Sequence, residues 1–105
     1  MKEKSFAVRI VNLHKHLSQA KREYVLSKQA LRSGTAIGAL VREAEQAESK
    51  PDFVHKMAIA LKEANETEYW LELLHNTNYL DSAAFSSIHA DVLEIIKLLA
   101  SIIKY

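Results

Sequence analysis

The sequence has no cysteine, one proline, one tryptophan and two glycines in 105 residues. Without cysteine the chain forms no disulfide, has no thiol redox chemistry and offers no thiolate ligand to zinc. Few glycines and prolines leave little material for turns. Alanine, leucine, glutamate and lysine dominate instead, which is typical of an all-helical protein.

Long apolar runs are also absent. No run reaches the roughly 18 residues that span a bilayer, and the amino terminus, Met-Lys-Glu-Lys-Ser-Phe, lacks the apolar segment of a signal peptide. We therefore expect a cytoplasmic protein without membrane association. Hydrophobic residues make up 49% of the chain, which suffices for one domain over residues 1–105 that folds without a cofactor or metal.

Apolar residues recur in steps of three and four in four stretches of the chain, the period of an amphipathic helix. We predict helices over roughly Lys4–Lys21, Leu26–Glu48, Ser49–His75 and Asp81–Tyr105. Ser49 and either Asp81 or Ser82 are suitable helix caps. Short connections between the helices predict an all-α fold, an antiparallel up-and-down four-helix bundle.

The second predicted helix has unusually small side chains in its middle. Gly34 and Gly38 lie four residues apart, on one face of the helix. Each glycine costs about 1 kcal/mol of helix propensity relative to alanine. We therefore expect another backbone to approach this face closely. Charged residues interrupt every apolar run, which excludes a membrane dimerisation motif.

Three charged residues of these helices are predicted to form structural ion pairs. The chain reverses near residue 50, so that residues of helices 2 and 3 whose numbers sum to about 100 lie opposite each other. Glu68 occupies an apolar seam position, and a buried carboxylate needs a partner, which the register predicts to be Arg32, largely shielded from water. Glu43 is predicted to lie opposite Lys56 or Met57.

The fourth predicted helix is apolar over most of its circumference. One seam, formed by Phe85, Ile88, Val92, Ile95, Leu99 and Ile102, is enough to close a bundle. The chain then has further apolar positions, which we predict to form a homo-oligomer interface: Ile59, Trp70, Leu73, Leu93, Ile96, Leu98 and Ile103. If the oligomer is a ring, each interface must join two different surface patches, one from each neighbouring subunit.

Positive charge is concentrated at the start of the chain. Residues 1–33 contain eight of the fourteen Lys and Arg residues but two of the thirteen acidic ones. This segment either faces nucleic acid, pairs with acidic neighbours in the fold, or is a solvated face. The predicted nucleic-acid contacts are Lys15, Lys21, Arg22 and Lys28, with Tyr24 available for base stacking.

No pattern of catalytic or metal-binding residues is present. The five histidines show no His-Glu-x-x-His spacing, and Glu72–His75 is a single Glu-x-x-His match where a di-iron bundle needs two. We therefore predict no catalytic, metal-binding or cofactor-binding residues, and a protein that is not an enzyme.

Two blocks of sequence resemble a known family. The block Leu26–Ala39, followed by Arg42-Glu43-Ala44, is similar to the pattern Ser-x-Gln-Leu-x-Arg-Ser…Ser-Ile-x-Ala-Asn-Ile-x-Glu of the four helix bundle proteins encoded in 23S ribosomal RNA intervening sequences. The block Ile59–Leu71 resembles helix 3 of that family. Leu40 departs from the pattern, which has asparagine there.

This resemblance implies a left-handed four-helix bundle, assembly into homopentamers and an association with RNA or the ribosome. The accessory protein of diversity-generating retroelements has a similar architecture, and its basic pentamer surface binds nucleic acid and a reverse transcriptase. Two hypotheses follow for this chain: an oligomeric bundle that binds RNA or a nucleoprotein partner, or a protein-interaction scaffold that makes no contact with nucleic acid.

Overall fold

The computed structural model describes residues 2–104, which form four α-helices: α1 (Lys2–Ala20), α2 (Leu26–Glu45), α3 (Lys50–Asn76) and α4 (Ser82–Ile103). Each helix packs against the next, and α4 closes the bundle against α1. The molecule measures 45 × 20 × 19 Å. The predicted all-α four-helix bundle is confirmed. The predicted end of the fourth helix at Tyr105 lies outside the described residues.

Two of the helices begin where the predicted caps lie. The Ser49 hydroxyl accepts a hydrogen bond from the Asp52 N–H at 3.2 Å, and Pro51 fits the first turn of α3. The Asp81 carboxylate accepts one from the Ala84 N–H at 2.7 Å. These side chains satisfy backbone donors that have no partner within the helix, which sets the starts of α3 and α4.

Both turns at one end of the bundle contain a residue with left-handed backbone conformation. Because α1 and α3 run in the same direction, the turns at residues 21–25 and 77–81 lie at the same end, called here the upper end. Arg22 has φ 56° and Asn78 has φ 70°. At Asn78 the Tyr79 N–H donates to the Leu74 carbonyl at 2.8 Å, as in a Schellman motif.

The buried residues of α4, from Ile88 to Leu99, follow its predicted seam, but α3 is rotated from the prediction. Thr67 is fully buried on α3, whereas Glu68 is half-buried at its flank. The Thr67 hydroxyl lies 2.8 Å from the Ser33 hydroxyl and 2.8 Å from the Glu63 carbonyl oxygen. A threonine that satisfies its hydroxyl locally can occupy a core position, and apolar periodicity alone does not reveal this.

The predicted Arg32–Glu68 pair is wrong, although the register is right. Ser33 faces Thr67, and the Lys56 amine lies 3.3 Å from the Glu43 carboxylate, as the sum of about 100 predicts. Arg32, however, is more than half exposed. It binds Glu63 and Glu66, which lie on the flank of α3 beside α2.

Glu68 instead lies on the opposite flank of α3, because two residues of a helix turn the side chain by roughly 200° from Glu66. Its carboxylate lies 2.8 Å from Nε2 of His89 on α4. Glu68 therefore helps to join α3 to α4, and Arg32 helps to join α2 to α3.

The two glycines face α1 in different ways. A Cβ at Gly34 would lie 3.0 Å from both Cγ atoms of the buried Ile10. At Gly38 the nearest atoms belong to Glu3, beginning at 3.7 Å. The expected approach of another backbone is therefore seen at Gly38, where the Glu3 carbonyl is close, while a side chain fills the space above Gly34.

Candidate nucleic-acid interface

Several cations of the first third of the chain form ion pairs with acidic residues of α3 and α4. Lys2 lies 3.0 Å from Glu94 of α4, and the Arg9 guanidinium lies 2.6 Å from Asp91 of the same helix. Arg32 pairs with two carboxylates of α3. For these cations the expectation of pairing with acidic neighbours in the fold is met.

The four cations predicted to contact nucleic acid are placed differently. Lys15, Lys21, Arg22 and Lys28 are all exposed, and none forms an ion pair with another residue of the described range 2–104. Lys15 lies in the penultimate turn of α1, Lys21 and Arg22 lie in the turn, and Lys28 lies in the first turn of α2. These four side chains are called the basic surface.

Lys15 and Lys28 lie at the same height on neighbouring helices. The α1–α2 register follows from His14, whose Nδ1 is 3.0 Å from the Ser27 hydroxyl. Lys15 and Lys28 each follow one of these two residues directly in the chain. All four cations therefore lie around the upper end of one helix pair.

Glu23 is the only carboxylate between Lys4 and Arg42, and it points inward. Its side chain accepts hydrogen bonds from the N–H groups of Val25 at 3.2 Å, Leu26 at 3.1 Å and Ser27 at 2.7 Å. Only 8% of the residue is exposed. The positive end of the α2 dipole stabilises this negative charge. The basic surface therefore has no exposed carboxylate of its own helices beside it.

A short polar network holds the turn against α1. The Ser27 hydroxyl donates to the Glu23 carbonyl at 2.8 Å, and its oxygen lies 3.0 Å from Nδ1 of His14. The Glu23 N–H also donates to the Leu17 carbonyl at 2.9 Å. The backbone that presents the cations is thus fixed by several hydrogen bonds. Sequence reasoning missed Glu23, although an isolated acid just before a helix is a signal for a cap.

Two uncharged residues in the same turn are also exposed. Tyr24 is 56% exposed and Val25 is 70% exposed, the latter the highest value among the large hydrophobic residues described. They are the two residues after Glu23, whose carboxylate binds the Val25 N–H. The turn therefore presents an aromatic ring and an aliphatic side chain among cations.

Of the seven positions predicted to form an oligomer interface, one is exposed and six are half-buried. Trp70, Ile96 and Ile103 are half-buried and pack against the core of their own bundle, and the Trp70 Nε1–H donates to Glu66 at 3.2 Å. Ile59, Leu73 and Leu93 are also half-buried. Leu98 is 50% exposed.

Leu98 lies on a solvent-exposed flank of α4. On the same helix, Glu94 pairs with Lys2 at the described start of α1. Leu98 is on the same face as Glu94, four residues on. Ile102, assigned to the core seam by the sequence, follows four residues later and is 40% exposed.

Two histidines stack on one aromatic ring between α3 and α4. The Phe85 ring stacks between His75, with ring centroids 4.4 Å apart, and His89, at 4.7 Å. Within residues 2–104, no three His, Asp or Glu side chains are grouped as metal ligands. None of the described helices combines the length and apolar character needed to cross a membrane.

Comparison with known proteins identifies the family. A family model described as 23S rRNA-intervening sequence protein matches residues 1–101. A crystal structure at 1.70 Å of a protein with unknown function from the S23 ribosomal protein family of Bacteroides thetaiotaomicron VPI-5482 is 62% identical, with a TM-score of 0.97 over 99% of this chain and 96% of that chain. A search of curated proteins gave no match. The chain belongs to the 23S rRNA-intervening sequence protein family.

Proposed function

We propose that this protein is a non-enzymatic bundle that binds RNA through the basic surface formed by Lys15, Lys21, Arg22 and Lys28. The observation that carries the proposal is the inward orientation of Glu23, which leaves these four cations exposed without a carboxylate from α1 or α2 among them.

Four exposed cations with no carboxylate of α1 or α2 among them suit contact with a phosphate backbone. Lysine and arginine contacts to phosphate release condensed counterions and supply most of the affinity in binding that does not depend on sequence. None of the four residues needs to break an ion pair with the described chain before it contacts phosphate. Such a surface supports binding that depends strongly on salt and weakly on sequence.

Charge removal tests this proposal. In a triple variant, Lys21→Gln, Arg22→Gln and Lys28→Gln, we expect the mobility shift of a labelled RNA at low salt to weaken by at least about tenfold, because each phosphate contact adds to the affinity. The matched control replaces Lys50, Lys62 and Lys97, exposed lysines of α3 and α4, with Gln. No RNA shift by the unmodified protein at micromolar concentration would contradict the proposal and favour the protein-interaction scaffold.

We also propose that the protein is a homo-oligomer, with five subunits as the family resemblance implies. The exposed Leu98 and Ile102 on the last turns of α4 support self-association, because aliphatic side chains of this size gain about 1.5–3 kcal/mol each on full burial. In a closed ring each subunit would repeat the basic surface, and the oligomer would present several copies to one RNA.

A further inference from the structure

Three tyrosine rings of the described chain are exposed, and one of them lies in the turn that carries two cations of the basic surface. Tyr24 is 56% exposed, Tyr69 is 55% exposed and Tyr79 is 37% exposed. Tyr69 lies on α3 with its ring 5.1 Å from that of Trp70 in an edge-to-face arrangement. Tyr24 has no such aromatic neighbour among residues 2–104, and it lies two residues after Arg22 in the turn.

Resting on the proposed function, we infer that the basic surface takes unpaired RNA, with a base stacked on the ring of Tyr24. Proteins that bind single strands combine cations that follow the backbone with aromatic rings on which bases stack. In a paired helix the faces of the bases are covered by their neighbours, and recognition uses phosphates and 2′-hydroxyl groups. An exposed ring among cations therefore contributes to binding a single strand and adds little on a duplex.

The backbone around Tyr24 is held in place although the ring is solvent-exposed. On one side the Glu23 N–H is bonded to the Leu17 carbonyl at 2.9 Å. On the other side the Glu23 carboxylate binds the N–H groups of Val25 and Leu26. A ring presented from a fixed backbone loses less conformational entropy when a base stacks on it, which favours this position as a stacking platform.

A preference for single strands is diagnostic because electrostatics alone predicts the reverse. Duplex nucleic acid carries about one charge per 1.7 Å of axis, a higher density than a single strand. A surface that acts only through its cations therefore binds a duplex at least as tightly. Tighter binding of the unpaired strand requires contacts with exposed bases.

The test compares one 12-nucleotide RNA, as a single strand and annealed to its complement, by fluorescence anisotropy at fixed low salt. We expect the full-length protein to bind the single strand more tightly than the duplex. Tyr24→Ala should weaken single-strand binding about tenfold without changing duplex binding, while Tyr24→Phe retains both affinities. Tyr69→Ala, which removes an equally exposed tyrosine outside the turn, should change neither affinity.

The failures of the two proposals are distinguishable. If the protein binds the duplex as tightly as the single strand, or if Tyr24→Ala has the effect of Tyr69→Ala, the assignment of unpaired RNA is overturned while the basic surface remains a phosphate-binding site. If neither RNA binds, the proposed function fails and this inference fails with it. A thermal melt of Tyr24→Ala that matches the unmodified protein rules out misfolding as the cause of any loss.

Discussion

At Gly34 and Gly38, two glycines on one helix face, the same substitution is expected to have opposite effects. An alanine Cβ at Gly34 would lie 3.0 Å from both Cγ atoms of Ile10, which is 1% exposed in the core. A Cβ at Gly38 would meet only ordinary contacts, beginning at 3.7 Å. Position 34 is therefore limited by packing, whereas position 38 is limited by helix propensity alone.

We predict that Gly38→Ala stabilises the protein by up to about 1 kcal/mol, the difference in helix propensity. Gly34→Ala should destabilise it by about 1 kcal/mol, because overpacking costs about 1–3 kcal/mol and exceeds the same gain in propensity. Urea denaturation at one fixed protein concentration measures both. If both substitutions changed the free energy of unfolding in the same direction, the packing seen around Ile10 would be contradicted.

Arg22 occupies a backbone conformation that suits glycine. Its φ of 56° costs an L-residue about 1 kcal/mol or more. We predict that Arg22→Gly raises the free energy of unfolding by about 0.5–1 kcal/mol and weakens RNA binding, because it removes one cation of the basic surface. Urea denaturation and anisotropy measure the two effects.

Asn78 provides the control for Arg22, since its φ is 70° in the other turn of the upper end and its side chain carries no charge. Asn78→Gly should stabilise the fold by a similar or smaller amount and leave RNA affinity unchanged. If Arg22→Gly binds RNA as tightly as the unmodified protein, Arg22 is not a contact.

At the scale of helices, the flank of α3 on which an acidic residue lies decides whether that residue contacts α2 or α4. Arg32 lies against Glu63 and Glu66, and Glu68 lies against His89 on the far flank. A double-mutant cycle of Arg32→Ala with Glu66→Ala should give a coupling of about 0.5 kcal/mol, the usual value for an exposed pair. The same cycle with Glu68→Ala should give no coupling.

The outcome that contradicts this arrangement is specific. A coupling between Arg32 and Glu68 of several kcal/mol is the signature of a buried pair, and it would require Glu68 to face α2. Because more than half of the Arg32 side chain is exposed, we expect Arg32→Ala alone to cost less than about 1 kcal/mol.

The helices, two of their caps and the α2–α3 register are predictable from the sequence, since they depend on local periodicity and on short turns. The rotation of α3 is not, because Thr67 satisfies its hydroxyl on Glu63 and Ser33 and so occupies a core position that Glu68 was expected to fill. The inward orientation of Glu23 is equally hidden, since it depends on three N–H groups of the following turn. The sequence locates the four cations but does not show that Glu23, the one acid between Lys4 and Arg42, is buried away from them.

At the scale of the whole molecule, self-association is predicted to depend on the end of α4. Light scattering coupled to size exclusion should give a mass that is a multiple of 11.9 kDa, five-fold for a pentamer. Leu98→Glu should reduce this mass, because it places a charge where apolar area would be buried. Ala90→Glu, at an exposed position of the same helix, is the control. A mass near 11.9 kDa for the unmodified protein would contradict the oligomer.

The salt dependence of RNA affinity tests the central proposal most directly, because it measures the number of phosphates that the protein neutralises. Each phosphate contact on a single strand contributes about −0.7 to the slope of log K against log salt concentration. With four cations we predict a slope of about −3 or steeper. In the Lys21, Arg22 and Lys28 triple variant the slope should become less negative by about 2. In the Lys50, Lys62 and Lys97 control it should not change. A slope near zero, or one that the two triple variants change equally, would contradict the proposal.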